Sequence, residues 1–159
     1  MNILTIDVGN TNIAMCLFNK EKPIHFVKIR NTDITKTMLK KHLSIKNTKN
    51  SIINIIISSV VPSISKIIID FLIANKLKFY LLKDLIKTLD IKINIKNKKK
   101  IGEDRIVNAY YAKKKHSKNL IIIDFGTATT FDVIDSKGNY DGGIITPGID
   151  LSLKVLSEK

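Results

Sequence analysis

Two short stretches of the sequence have residue types that could bind phosphate. DVGNT at 7–11 and DFGTA at 124–128 each stand between two apolar runs. Glycine lets a ligand approach the backbone, and N–H groups with small polar side chains can surround phosphate oxygens. Aspartate repels phosphate but can hold a bridging cation. One such stretch is better explained as an ordinary hairpin turn, whereas two copies in matching contexts favour a metal–nucleotide site in a cleft.

A third stretch, IGEDRIVNAYYA at 101–112, could act on a second substrate. Gly102 precedes a predicted helix, whose first backbone N–H groups favour anions. Arg105 can bind a carboxylate or phosphate through two hydrogen bonds. Asp104 could accept the proton of a hydroxyl that attacks a phosphoryl group. A capping acid beside a solvent-facing arginine explains these residues equally well, so the stretch alone leaves both interpretations open.

Hydrophobic periodicity predicts the elements that would position these residues. In the first half we expect a helix at 33–44 with Thr32 as its N-cap, a helix from Ser63, and strands at 2–6, 13–18, 24–30, 52–58 and 79–82. In the second half we expect helices at 103–115 and 149–156, and strands at 120–124, 129–135 and 139–146. The polar, lysine-rich residues 83–100 are predicted to be a linker or surface loop. The order of elements is that of an α/β fold, with a β-β-β-α unit occurring twice.

Composition narrows the class of protein. The chain has 159 residues and is 44% hydrophobic, which suits one domain or two small lobes with a packed core. The one cysteine, Cys16, excludes an internal disulfide. Asp7 and Asn10 interrupt the first apolar stretch, which argues against a signal peptide, and the apolar runs are too short to span a membrane. We therefore expect a cytoplasmic protein that does not bind membranes.

The net charge of +13 raises the question of nucleic-acid binding. Most basic residues are scattered lysines, arginine is scarce, and no pattern of aromatic and basic residues for stacking bases is present. We therefore expect no nucleic-acid partner. His25, His42 and His116 are far apart in the sequence, so a zinc site is not expected either.

Taken together, DVGNTN, GEDR, DFGTATTFD and GGIITPG, in this order and spacing, resemble the type III pantothenate kinase family. The resemblance covers essentially the whole chain. It implies an α/β fold of two ribonuclease H-like (actin-like ATPase) lobes, residues 1–95 and 96–159, of which the second is incomplete. It also implies ATP-dependent phosphorylation of pantothenate to 4'-phosphopantothenate, the first step of coenzyme A biosynthesis. A non-catalytic nucleotide-binding or regulatory protein on the same fold is the alternative.

The resemblance assigns roles to individual residues. Asp104 would be the catalytic base, Asp124 would bind a monovalent cation (K⁺ or NH₄⁺), and Thr127 would contact ATP, which is used with Mg²⁺. Pantothenate would be bound by Gly102, Glu103, Asp104 and Arg105. The first phosphate loop would comprise Asp7, Val8, Gly9, Asn10, Thr11, Asn12, Ile13 and Ala14. The family resemblance also implies a homodimer.

The sequence departs from the family pattern in two places. Ile95 stands where the family usually has a tyrosine ahead of the Gly-x-Asp-Arg motif, which puts one substrate contact in question. The family also continues beyond the end of this sequence to complete the second lobe. We therefore expect an unpaired strand edge and uncovered apolar faces on the LIIID and GGIIT strands.

Overall fold

The computed structural model describes residues 2–43, 54–98 and 101–158. The chain forms two compact units, Met1–Leu85 and Ile86–Lys159, and each is described by itself. Within the described residues, no helix combines the length and apolar character needed to cross a membrane.

The first unit is built on a five-stranded sheet in the order β3-β2-β1-β4-β5. β1, β2 and β3 are antiparallel, whereas β4 and β5 extend the sheet in parallel from β1. The strands are β1 (Asn2–Val8), β2 (Asn12–Asn19), β3 (Lys22–Arg30), β4 (Asn54–Ser59) and β5 (Phe79–Leu81). The helices are α1 (Lys36–Leu43), α2 (Pro62–Ala74) and α3 (Leu82–Leu85).

One face of this sheet forms the core of the first unit. Every second residue of β1 is buried, as the two-residue period of a strand requires. The α1 and α2 helices supply the apolar side chains that complete this core. Its members include Leu4, Ile6, Val8, Ile55, Ile57, Leu39, Leu43, Ile68 and Leu72. Burial of this face fixes the end of β1, and therefore the first candidate loop, in position.

The second unit is built on a three-stranded antiparallel sheet in the order β6-β7-β8. Its elements are α4 (Glu103–Lys115), β6 (Leu120–Phe125), β7 (Ala128–Ile134), β8 (Tyr140–Pro147) and α5 (Ile149–Ser157). Acidic residues begin α4 and lysines end it, which matches the helix dipole. Ile106 and Ala109 of α4 pack with Ile134 and Tyr140 of the sheet to form the core.

Residues 86–98 are not a linker, one of the two alternatives predicted for 83–100, because they belong to the second unit. Ile93 forms an isolated parallel bridge to Tyr140, whose backbone exchanges hydrogen bonds with Lys92 and Asn94 on either side. The apolar residues of the segment pack against the second core; they are Ile86, Leu89, Ile91, Ile93 and Ile95. For this reason the second unit begins at Ile86, ahead of the boundary predicted after residue 95.

Apart from the short helix α3, which was not predicted, the remaining elements follow the predicted order, with small differences at their ends. The main one is the start of α1. Thr35 is its N-cap, since its hydroxyl accepts a hydrogen bond from the backbone N–H of Met38 at 3.1 Å. The predicted cap, Thr32, is wrong, because it lies in a 3₁₀ turn and its hydroxyl donates to Asp33. Residues 44 and 52–53, included in a predicted helix and strand, lie outside the described residues.

Candidate functional site

The first candidate loop is the tight turn between β1 and β2. The last strand pair joins Val8 to Ile13, and the Gly9 N–H donates to the Asn12 carbonyl at 3.0 Å. Asn10 and Thr11 are exposed at the tip. Asp7 is exposed near the carboxyl end of β1, level with Ala14 on β2 and Ser58 on β4. The turn therefore exposes two small polar residues near one carboxylate.

Asn31 holds this loop in place, although sequence analysis did not identify it. Its side-chain amide donates to the carbonyls of Gly9 at 2.8 Å and Asn10 at 2.9 Å. Its backbone N–H donates to the carbonyl of Thr11 at 3.0 Å. One residue thus binds three successive loop carbonyls. No local sequence pattern marks Asn31, because its role depends on β3 ending beside the loop.

The second candidate loop, between β6 and β7, has a similar construction. The last strand pair joins Phe125 to Thr129, and the Gly126 N–H donates to the Ala128 carbonyl at 3.1 Å. Asp124 is exposed near the end of β6, as Asp7 is near the end of β1. The loop is one residue shorter than the first. Its closing hydrogen bond joins residues that are two positions apart in the sequence, whereas that of the first loop joins residues three positions apart.

Gly148 at the start of α5 supports the second loop. Its N–H donates to the Thr127 carbonyl at 3.2 Å. A Cβ at residue 148 would collide with the backbone of Gly126 and Thr127. Only glycine lets the backbone at residue 148 lie this close to the backbone of the loop. The turn at 146–148 therefore packs directly against the second loop.

The start of α4 carries the predicted catalytic residue. Gly102 is the N-cap, and the Asp104 carboxylate folds back over it so closely that a Cβ at residue 102 would collide with it. Asp104 is nevertheless exposed to solvent. An exposed carboxylate held over the first turn of a helix is available to accept a proton from a bound hydroxyl.

Arg105 is buried in an ion pair and does not face solvent. Its Nε donates to Asp132 Oδ1 at 2.9 Å and Oδ2 at 3.2 Å, and its Nη2 lies 2.6 Å from Oδ1. The Tyr140 hydroxyl donates to the same Oδ1 at 2.5 Å. Arg105 is 8% exposed and Asp132 is 1% exposed. Sequence analysis did not single out Asp132 or Tyr140, whose pairing with Arg105 depends on the register of β7 and β8.

The electrostatics of this cluster raise the pKa of both Arg105 and Tyr140. Burial disfavours the charged form of Arg105, but the hydrogen bond and charge of Asp132 outweigh it and hold the pKa of Arg105 above its ordinary value. Burial, followed by the hydrogen bond to Asp132, raises the pKa of Tyr140. Within the described residues, Nη2 of Arg105 has no acceptor in hydrogen-bonding geometry. Nη2 is therefore held against Asp132 by charge and is shielded from solvent.

Asp124 lies in a groove between α4 and β6. The side-chain amide of Asn108, one helical turn after Asp104, donates to Asp124 Oδ2 at 3.4 Å. The groove has a volume of about 390 Å³ and is lined by Asn108, Tyr111, Ala112, Ile122, Ile123 and Asp124. In the described part of the chain, no three His, Cys, Asp or Glu side chains cluster as a metal site would require. A cation at Asp124 would therefore need oxygen ligands from a bound substrate or water.

Comparison with known proteins identifies the family. A sequence profile described as "Type III pantothenate kinase" matches residues 3–159. The chain belongs to the type III pantothenate kinase family. It is 40% identical to the type III pantothenate kinase of Persephonella marina and 36% identical to that of Geotalea daltonii. Both alignments cover 99% of this chain but 64% of the relative, so the chain spans somewhat less than two thirds of these relatives.

Solved structures show the same fold class at low identity. The ethanolamine utilization protein EutJ from Carboxydothermus hydrogenoformans matches 99% of this chain and 57% of its own, with a TM-score of 0.57 and 13% identity. The Ppx/GppA phosphatase of Aquifex aeolicus matches 98% of this chain and 55% of its own, with a TM-score of 0.56 and 11% identity. These similarities confirm the predicted mixed α/β fold.

Proposed function

We propose that this chain carries the catalytic residues of an ATP-dependent pantothenate kinase. The reaction is phosphorylation of pantothenate to 4'-phosphopantothenate, the first step of coenzyme A biosynthesis. The observation that carries the proposal is the exposed Asp104 carboxylate held over Gly102 at the start of α4. Membership of the family supports it. The two units would be ribonuclease H-like (actin-like ATPase) lobes, the second of them incomplete.

Asp104 would act as the general base. Its carboxylate would take the proton of the pantothenate hydroxyl while that oxygen forms a bond to the terminal phosphorus of ATP. The bond between that phosphorus and the bridging oxygen breaks, and ADP leaves with the oxygen. Gly102, Glu103 and Arg105 would contact pantothenate around this carboxylate. The ion pair of Arg105 with Asp132 supports this arrangement, because it fixes the first turn of α4 on which these residues lie.

The two loops would serve the nucleotide. The first would comprise residues 7–14, and Thr127 would contact ATP from the second. Mg²⁺ in kinases is usually held by one or two carboxylates together with substrate phosphates, which fits a chain that offers one Asp beside each loop. A monovalent cation, K⁺ or NH₄⁺, would bind at Asp124. The family resemblance further suggests a homodimer in the cytoplasm.

Binding and turnover measured on the purified chain test this proposal. Asp104→Asn should slow formation of 4'-phosphopantothenate by about 10²–10⁴, while leaving the affinity for ATP unchanged. Asp150→Asn is the matched control, because Asp150 is the second residue of α5 as Asp104 is of α4. A chain that binds ATP but not pantothenate would contradict the proposal and favour a nucleotide-binding protein without kinase activity.

A further inference from the structure

A buried hydrogen-bond network holds the residue that follows Asp104 in the chain. Asp132 accepts hydrogen bonds from Arg105 Nε through both of its carboxylate oxygens, and from the Tyr140 hydroxyl through Oδ1. Asp132 and Tyr140 are each 1% exposed, which leaves no surface for a substrate to touch. Any influence of these two residues on a reaction at Asp104 must therefore act through Arg105.

The first turn of α4 needs such an anchor. Gly102 is the N-cap, and glycine has no side-chain oxygen to offer to the first backbone N–H groups of the helix. The bond that closes the turn, from the Ile106 N–H to the Gly102 carbonyl, is long at 3.4 Å. Ile106 also packs in the core, but apolar packing has no preferred direction. The directional contact of this turn is the guanidinium of Arg105 on Asp132.

The position of Tyr140 is itself fixed by the segment that precedes α4. The Tyr140 N–H donates to the Lys92 carbonyl at 2.8 Å, and its carbonyl accepts from the Asn94 N–H at 2.9 Å. The Asn94 side chain also donates to the carboxylate of Asp141 at 2.7 Å. The Tyr140 hydroxyl therefore approaches Asp132 from a backbone that is held on both sides, and it gives that carboxylate one orientation.

Stability alone explains this network poorly. Burial of two charges costs much of what their attraction gains, and apolar residues of similar volume often make an equally stable core. An ion pair of arginine with a carboxylate adds direction, because the two planar groups meet in a fixed geometry. Reacting groups need this precision, since a displacement of about 1 Å can slow a reaction about a hundredfold.

We propose that Asp132 and Tyr140 are positioning residues for the phosphorylation. Acting through Arg105, they hold the first turn of α4 where the Asp104 carboxylate reaches the hydroxyl of pantothenate. Asp132 supplies the charge and the two acceptor oxygens, and Tyr140 fixes the orientation of that carboxylate. The inference rests on the proposed role of Asp104 as general base, to which it adds two residues of the sheet that do not touch the substrate.

Tyr140→Phe is the mildest test, because it removes one hydroxyl and keeps the ring in the core. Turnover is measured at a temperature at which circular dichroism shows every variant fully folded. We expect kcat to fall about 3- to 10-fold while the KM for Mg–ATP stays the same, the pattern of a misplaced reacting group. Asp132→Asn keeps the side-chain shape but loses the charge, and kcat should fall about 10- to 100-fold. A role in stability alone would leave kcat per folded molecule unchanged.

Two control variants make the same chemical changes elsewhere on α4. Tyr110→Phe removes a hydroxyl from a tyrosine of this helix and keeps the ring beside Lys114. Asp90→Asn removes the charge of a carboxylate that pairs with Lys113 of the helix at 3.1 Å and is 90% exposed. Both controls should turn over like the unsubstituted chain, because neither residue belongs to the network that holds Arg105.

NMR and hydrogen exchange report the position of the first turn without turnover. The carboxyl carbon signal of Asp104 is assigned by its disappearance in Asp104→Asn. At neutral pH this signal should shift in Tyr140→Phe and Asp132→Asn, and the Ile106 amide should exchange faster, because the turn has lost its directional anchor. Neither measurement should change in the two control variants.

The outcomes separate this inference from the proposed function. An Asp104 signal and an Ile106 exchange rate that stay unchanged in both network variants overturn the inference. An unchanged kcat in folded Tyr140→Phe and Asp132→Asn does so as well. An unsubstituted chain that binds ATP but does not phosphorylate pantothenate counts against the proposed function alone. The Asp104 signal then still decides whether Asp132 and Tyr140 hold the turn.

Discussion

Arg105 and Asp132 form a buried ion pair that joins the first turn of α4 to the middle strand of the second sheet. Their closest atoms, Nη2 and Oδ1, are 2.6 Å apart. Gly143 on β8 makes room for the pair, because a Cβ there would lie 2.6 Å from Nη2 and 2.8 Å from Oδ1. The position of the neighbouring Asp104 thus depends on contacts among two strands and a helix.

Removing Asp132 should strongly destabilise the second unit. Asp132→Ala leaves the Arg105 charge and the Tyr140 hydroxyl buried without their shared acceptor, which costs about 3–5 kcal/mol for a buried pair. Asp90→Ala is the control, because it breaks an ion pair with Lys113 in which Asp90 is 90% exposed, a change of at most about 1 kcal/mol. Urea unfolding measures both free energies. Equal losses would mean that the Arg105–Asp132 pair contributes no more than a surface pair.

Local sequence patterns predicted the helices and strands better than they predicted the side-chain contacts between those helices and strands. The strands around both loops were predictable because their apolar runs are long and end at Asp-x-Gly. Residues 86–95 were not recognised as part of the second core, because the lysines between their apolar residues resemble a linker. Asn31 and the Arg105–Asp132 pair could not be predicted either, since each contact depends on where separate strands end and how they align.

Replacing Asn31 should weaken nucleotide binding through the first loop. Asn31→Ala removes the two side-chain hydrogen bonds to the carbonyls of Gly9 and Asn10, so the loop loses its fixed shape. Loss of such bonds costs about 1–3 kcal/mol, which corresponds to a loss of affinity for Mg–ATP of about 5-fold to 150-fold. Titration calorimetry measures the affinity. Asn75→Ala is the control, because the Asn75 side chain donates to the Phe71 carbonyl at the end of α2, away from the loop. Equal affinities for the two variants would show that nucleotide binding does not depend on the Asn31 bonds.

Asp135 should make the second unit sensitive to acid. Hydrogen bonds from the backbone N–H of Asn139, its side chain, and the N–H of Lys137 hold the pKa of Asp135 below its ordinary value of 3.8. A lowered carboxyl pKa stabilises the folded state above 3.8, and this contribution is lost as the pH falls through the folded-state pKa. Asp135→Asn should therefore be less stable than the unsubstituted chain at neutral pH but approach it in strong acid. Urea midpoints across this range measure the difference, and a gap independent of pH would contradict the assignment.

Replacing two glycines around the second loop should affect the stability of the second unit very differently. At Gly148 a Cβ would collide with the carbonyls of Gly126 and Thr127, so Gly148→Ala should lower the stability of the second unit by about 1–3 kcal/mol. At Gly126 a Cβ would be 3.5 Å from its nearest neighbour, the Ala128 carbonyl, which is an ordinary contact. Gly126→Ala should therefore leave stability nearly unchanged.

Alanine substitutions at the two loop glycines, Gly126 and Gly9, distinguish a ligand-binding loop from a structural turn. If a phosphate group approaches the backbone at Gly126, the added methyl group should weaken Mg–ATP binding although the fold is intact. Gly9→Ala provides the matched test in the first loop, since a Cβ there would be 3.4 Å from the Asn12 carbonyl. Unfolding free energies and Mg–ATP affinities are measured for all three variants. Unchanged affinity in both loop variants would leave the two loops as structural hairpins, whereas weakened binding without loss of stability would place the nucleotide against their backbones.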